Sequence, residues 1–369
     1  MITFVMSEEH QYTIRTALEN GAIDRRVIIL SYLDFLSFAQ LPISDYIFVD
    51  QERLSSDEIA AAGHRLAALR RAVPGIRVLN APRPALERLT VMRSLHAAGI
   101  NGFRVVPAND LPPGLRFPVF VRRLDNHDGP MTDLLHDAEA LEAALVAICT
   151  AENLPRASLA VTEYVDARDA LGRHQKFSYF RIGDVLFPSA RDLSTNWVCK
   201  GFVEDSQTVR EPDAEIAFLS GNAHEPLIRP AFEAAGIEYG RADYVVVDDR
   251  PQVFEINTNP YLDPPDFLPP EFRSYSERLM ARWADALAAF SPPMAPHAPR
   301  WIPVEHAILA EPPGGHAVRR RFRRLLVATG QLHRETEVML VLRAPKRLAR
   351  RFRNRLRSSS GLDLPTRGT

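Results

Sequence analysis

Two short runs rich in β-branched and aromatic residues, ADYVVV (242–247) and QVFEINTNP (252–260), flank the turn-forming Asp248, Asp249 and Arg250. No other segment constrains the chain as tightly, because this pattern predicts a β-hairpin with acids on one face. Side chains alternate along a strand and pair across it. A connection with an odd number of residues therefore sets Asp243 opposite Glu255 or Asn257. All three then leave the same face, with Val245 and Val253 beside them nearer the turn. Two carboxylates and an amide oxygen gathered there repel one another unless a cation stands among them. Oxygen donors without sulfur or imidazole suit Mg2+ or Mn2+, which complete their shells with water and phosphate oxygens. Asp243, Glu255 and Asn257 are thus candidate metal ligands beside a nucleotide. The bland alternative makes them exposed strand positions, with Asn257 opening a turn toward Pro260.

The 369 residues suffice for two or three packed units, and 46% hydrophobic with 25% charged residues is the balance of a globular chain. Residues 1–85 alternate short strands (ITFVM, RRVIIL, DYIFVD, IRVL) with helical patterns, which predicts a small α/β layer. Its clearest helix follows Leu54, with Ser55 or Ser56 as N-cap, Glu58 in the first turn and apolar Ile59, Ala62, Leu66 and Leu69 at helical spacing. No GxGxxG follows these strands, so a dinucleotide-binding site of that kind is not indicated. Beyond residue 85 come a helix (ALERLTVMRSLHAAG), strands FRVV and FPVFVRR, a polar loop, a helix (DAEALEAALVAICTAEN) and a strand LAVTEYV. Strands KFSYFRI and DVLFPSA then meet at Gly183-Asp184, and the hairpin and a helix SERLMARWADALAAF follow.

From about Val78 to Pro260 this order of parts, and the segment ADYVVVDDRPQVFEINTNP, resemble the ATP-grasp superfamily, especially its glutathione-synthetase-like and ribosomal-protein glutamate ligase branches. The resemblance implies an α/β (α+β) ATP-grasp fold preceded by an N-terminal α/β domain. It implies ATP and Mg2+ (or Mn2+) as cofactors, with Asp243, Glu255 and Asn257 as the metal ligands. Arg88 and Arg122 stand where the family commonly has lysines that contact ATP. The loop DNHDGP, with His127 as a donor, replaces a glycine-rich phosphate lid. VTEYV is similar to the hinge whose backbone meets the adenine edge, which makes Glu163, Tyr164 and Val165 cofactor-site candidates. Lys176, Arg181, Arg191 and Lys200 are candidates for binding substrate, and Arg122 and Lys200 for catalysis. The implied reaction is ATP-dependent carboxylate–amine ligation through an acyl phosphate, with small-molecule or peptide carboxylates and amines as substrates.

These readings divide the chain into an N-terminal domain (1–85), an ATP-grasp domain (86–290, lid about 105–165), a Pro-rich linker (291–315) and an Arg-rich segment (316–369). Seven prolines fall between Pro292 and Pro313. From His316 onward the charge is +12, which leaves −13 for residues 1–315 out of a net −1. HAVRRRFRRLLVATG and APKRLARRFRNRLRS have the spacing of basic amphipathic helices, so the tail's candidate partners are an anionic surface or the acidic body. Two alternatives to a ligase stay open: a non-catalytic or regulatory ATP-binding protein of the same fold, and an anionic-surface binding module centred on the tail. Only Cys149 and Cys199 are present, and no apolar stretch reaches the length of a membrane span. The expectation is a cytoplasmic protein with no signal peptide, disulfide or transmembrane helix.

Overall fold

The computed structural model describes residues 1–19, 27–83, 88–124, 129–199, 208–262, 270–292 and 300–305. The expectations for His127, Lys200 and residues 316–369 lie outside the described residues. The described residues from 1 to 292 and from 301 to 305 belong to one compact unit.

The chain opens with β1 (Ile2–Met6), α1 (Tyr12–Glu19), β2 (Val27–Ser31), α2 (Tyr32–Ser37), β3 (Gln40–Pro42), β4 (Asp45–Phe48), α3 (Ser56–Ala72) and β5 (Val78–Leu79). Strands β2-β1-β4-β5 form a parallel sheet in that order. ITFVM and VIILS are buried at every position, as expected of parallel strands covered on both faces. Helix α3 begins at a capping box. The Glu58 N–H donates to Ser55 Oγ, and the Ser55 N–H donates to the Glu58 carboxylate at 2.9 Å. Ile59, Ala62, Leu66 and Leu69 are its buried stripe.

Helix α4 (Arg88–Ala97) leads to a second, antiparallel layer of β6 (Val105–Pro107), β7 (Val119–Arg123), α5 (Ala138–Glu152) and β8 (Leu159–Glu163). Its sheet order is β6-β8-β7, and it has its own core of Val119, Val121, Leu141, Leu145, Leu159 and Val161. Next come β9 (His174–Ile182), β10 (Val185–Ser194), β11 (Thr208–Val209), α6 (Pro212–Ser220), α7 (Glu225–Ala235), β12 (Tyr239–Val247) and β13 (Arg250–Asn257). They give a five-stranded antiparallel sheet, β11-β10-β9-β12-β13. Helix α8 (Pro270–Phe290) follows, and β14 (Trp301–Pro303) pairs antiparallel with β3.

Alternation along β9 assigns its residues to different surroundings. Phe177 and Tyr179 join a core with Val91, Met92, Phe232, Tyr244 and Val253. Phe180 and Ile182 join another with Phe4, Ile47, Tyr239 and Trp283, in which the Phe4 and Tyr239 rings meet edge to face at 5.5 Å. That second core is shared by the N-terminal sheet, the five-stranded sheet and α8. Lys176 and Ser178 precede Phe180 on the same alternation, so this face of β9 runs from polar to apolar along its length.

Candidate functional site

The hairpin closes on a two-residue turn: Val247 pairs with Arg250, and Asp248 and Asp249 both take positive φ (49° and 57°). An even connection alone would set Asp243 against Phe254. A β-bulge between Asp243 and Tyr244 shifts the register by one residue, so Asp243 faces Glu255 and Arg241 faces Asn257. The odd spacing expected across the hairpin therefore arises from the bulge and not from the turn. The same shift corrects one expectation: Val253 pairs with Tyr244 and is buried in the core behind the strand, away from the acids' face. Close approach at the end of the pair depends on Gly240, where a Cβ would meet the Asn257 carbonyl oxygen at 2.8 Å.

Asp243, Glu255 and Asn257 line one cavity of about 450 Å³. Arg88, Arg122, Lys176 and Arg241 line it as well, with the apolar Met92, Phe103, Val105, Val165 and Phe254. Phe120, Tyr164 and Trp197 close it with aromatic contacts; Phe120 and Tyr164 lie 5.1 and 6.1 Å from Trp197 between ring centroids.

Cationic side chains stand beside both carboxylates. Glu255 Oε2 receives Arg88 Nη2 from α4 at 2.8 Å and Arg122 Nη2 from β7 at 3.1 Å. Burial lowers the Arg88 pKa to about 10, with Arg122 pushing the same way and Glu255 opposing. Asp243 accepts from Ser178 Oγ (2.9 Å) and Arg241 Nε (3.2 Å), and Lys176 Nζ stands 3.5 Å away. Lys176 also contacts Asp192 at 3.2 Å. Burial alone would lower the Lys176 pKa, but Asp243 and Asp192 together hold it above its ordinary value, so its ammonium stays charged. Asn257 Oδ1 accepts the Asn259 N–H at 2.7 Å. No group of three or more His, Cys, Asp or Glu residues able to hold a metal occurs among the described residues. The candidate donor set is two carboxylates and one amide oxygen, all hard oxygen donors, which suits Mg2+ or Mn2+.

Glu163, Tyr164 and Val165 line the cavity too. The Glu163 carboxylate, however, is turned into a clamp. Arg104 and Arg116 each donate to it through both backbone and side chain, at 2.9 Å for each backbone N–H. Burial would raise its pKa, but these bonds win and lower it to about 2. The Tyr164 N–H donates to the Pro118 carbonyl, which ties the end of β8 to the start of β7.

Two expected substrate residues do not reach the cavity. Arg181 falls on the other face of β9 from Lys176 and donates to the carbonyls of Gly183 and Ile237. Arg191 on β10 pairs with Glu211 at 2.9 Å. With the Gln175 amide oxygen turned toward it, Arg191 also donates there at 2.7 Å. Sequence reasoning missed Arg241, although it stands two positions before Asp243 at same-face spacing. Asp192 carried no such signal, since its place depends on the pairing of β9 with β10.

No family model matches the chain, and no curated protein matches it. Solved structures do. D-alanine–D-alanine ligase from Bacillus anthracis, complexed with ATP, aligns at 18% identity over 78% of this chain and 97% of its own, with a TM-score of 0.47. A RimK domain ATP-grasp protein from Sphaerobacter thermophilus aligns at 16% identity over 79% and 99%, with a TM-score of 0.39. The ATP-grasp ligase PsnB, complexed with a minimal precursor, aligns at 15% identity over 79% and 99%, with a TM-score of 0.44. Solved ATP-grasp proteins are thus among those this chain is similar to.

Proposed function

We propose that this protein is an ATP-grasp enzyme that joins a carboxylate to an amine at the expense of ATP, with the cavity as its nucleotide site. One observation carries the reading: Asp243, Glu255 and Asn257 line a single cavity together with Arg88, Arg122 and Lys176 and with a set of apolar side chains. A cavity of this size, mostly apolar with a few convergent polar groups, is the form of a small-molecule site. The apolar lining residues, with the backbone of Glu163, Tyr164 and Val165, suit a base. The arginines suit phosphate oxygens, which they bind as a fork.

Mg2+ or Mn2+ fits the oxygen donors of Asp243, Glu255 and Asn257, and when bound it supplies neutralisation of the phosphate charge. Arg88 and Arg122 hold the phosphates and offset the charge that gathers during transfer. A substrate carboxylate oxygen attacks the γ-phosphorus, the bond to the β-phosphate oxygen breaks, and ADP leaves. An amine then attacks the acyl carbon, phosphate departs with the bonding pair, and the amine loses a proton. Lys176 is held charged by Asp243 and Asp192, so it serves as a fixed cation near the reacting carboxylate and not as the base.

The occupation of Glu255 by two arginines favours a second reading, a regulatory ATP-binding protein of the same arrangement. Nucleotide binding is common to both. Calorimetric titration of the full chain with Mg-ATP tests it: Arg122→Ala should weaken binding by about tenfold or more, and Arg122→Lys should preserve it. A dissociation constant unmoved by Arg122→Ala removes this residue, and the phosphate assignment with it, from the site.

A further inference from the structure

Glu255, Arg88 and Arg122 come from three separate elements, the hairpin, α4 and β7, and meet on one carboxylate oxygen at 2.8 and 3.1 Å. The three side chains are only 18%, 8% and 12% exposed, so water screens these charges little. The two guanidiniums also repel each other, and the carboxylate between them offsets that repulsion. Arg122 Nε is buried with no hydrogen-bond partner among the described residues, so this guanidinium is under-bonded where it stands.

A cation approaching Glu255 alone must displace two arginines and meet their charge. A polyphosphate approaching alone must draw those arginines from a carboxylate that repels it. Arriving together, each removes what opposes the other. We propose that Arg88 and Arg122 form a cage around Glu255 that makes binding of a divalent cation and of a polyphosphate mutually dependent. The anion takes the guanidiniums, the released carboxylate takes the cation, and the lid strand β7 exchanges its link to the hairpin for a link to the ligand. This rests on the nucleotide reading above and adds to it an order of events. Each ligand alone binds weakly, and the coupling is reciprocal, in the usual range of about 5–150-fold.

The test uses the full chain and each ligand by itself. Mn2+ alone is titrated by electron paramagnetic resonance into the wild type, the Arg88→Gln/Arg122→Gln double variant, and that double variant with Glu255→Gln added. The ATP analogue AMP-PNP is titrated, in excess chelator, into the wild type and Glu255→Gln. Opening the cage should tighten Mn2+ binding at least about tenfold, with the gain lost again on adding Glu255→Gln. Metal-free AMP-PNP should bind Glu255→Gln about tenfold more tightly than the wild type. A loss of a merely structural contact predicts neither gain. The single variants Arg88→Gln and Arg122→Gln, with circular dichroism as a folding control, should fall between the extremes. Equal Mn2+ affinity in wild type and double variant, or no gain of metal-free AMP-PNP in Glu255→Gln, overturns the cage. If Mg-AMP-PNP still binds the wild type, that failure leaves the nucleotide reading standing; if it does not bind, both fall.

Discussion

Glu163 lines the cavity, and its carboxylate is spent on holding Arg104 and Arg116. What it offers the cavity is therefore backbone, held in place by its own side chain. Its pKa, depressed from 4.5 to about 2, fixes the sign of the pH effect. The clamp stabilises fully above the unfolded value and is lost as pH falls from about 4.5 toward about 2. Glu163→Gln should cost about 1–3 kcal/mol at pH 7, a range that allows for the exposure of Arg116. The gap between variant and wild type should close as urea midpoints are followed down through that window; a gap that stays constant shows that the clamp is not the cause.

At the scale of elements, the hairpin was legible because alternation survives any tertiary setting. Its face was legible because Asp243, Glu255 and Asn257 differ so sharply from their neighbours. The bulge was not, since nothing in the residues VFE announces an extra position, and Val253 was accordingly put on the wrong face. Helix α3 and its cap were equally plain, while the short β11 and β14 depend on partners far along the chain. Arg181 and Arg191 are candidates by their charge and their place between β8 and the hairpin, and neither says which face of a strand a residue leaves by. The turn provides a check. Asp248 and Asp249 both adopt the left-handed region, which costs non-glycine residues about 1–2 kcal/mol each. The paired substitutions Asp248→Asn and Asp249→Gly place the favoured residues of such a turn there, and should raise stability by about 1 kcal/mol with no change in Mg-ATP affinity. A double variant less stable than the wild type, measured by thermal unfolding, contradicts the assigned turn.

For the molecule as a whole, the core of Phe4, Phe180, Tyr239 and Trp283 makes the N-terminal sheet and the five-stranded sheet parts of one body. The proline-rich stretch, expected as a linker or an extended wrap, includes β14, which pairs with β3 at an edge position where proline is tolerated. The central claim is that this body uses ATP to join a carboxylate to an amine at the cavity of Asp243 and Glu255. The most direct measurement incubates the full chain with Mg-ATP and pooled carboxylate and amine metabolites while following ADP and product masses. The account predicts ADP released one for one with a product whose mass is the sum of two substrates less water, with both abolished by Asp243→Asn. ADP without a condensed product, no turnover in any pool, or turnover untouched by Asp243→Asn would contradict it.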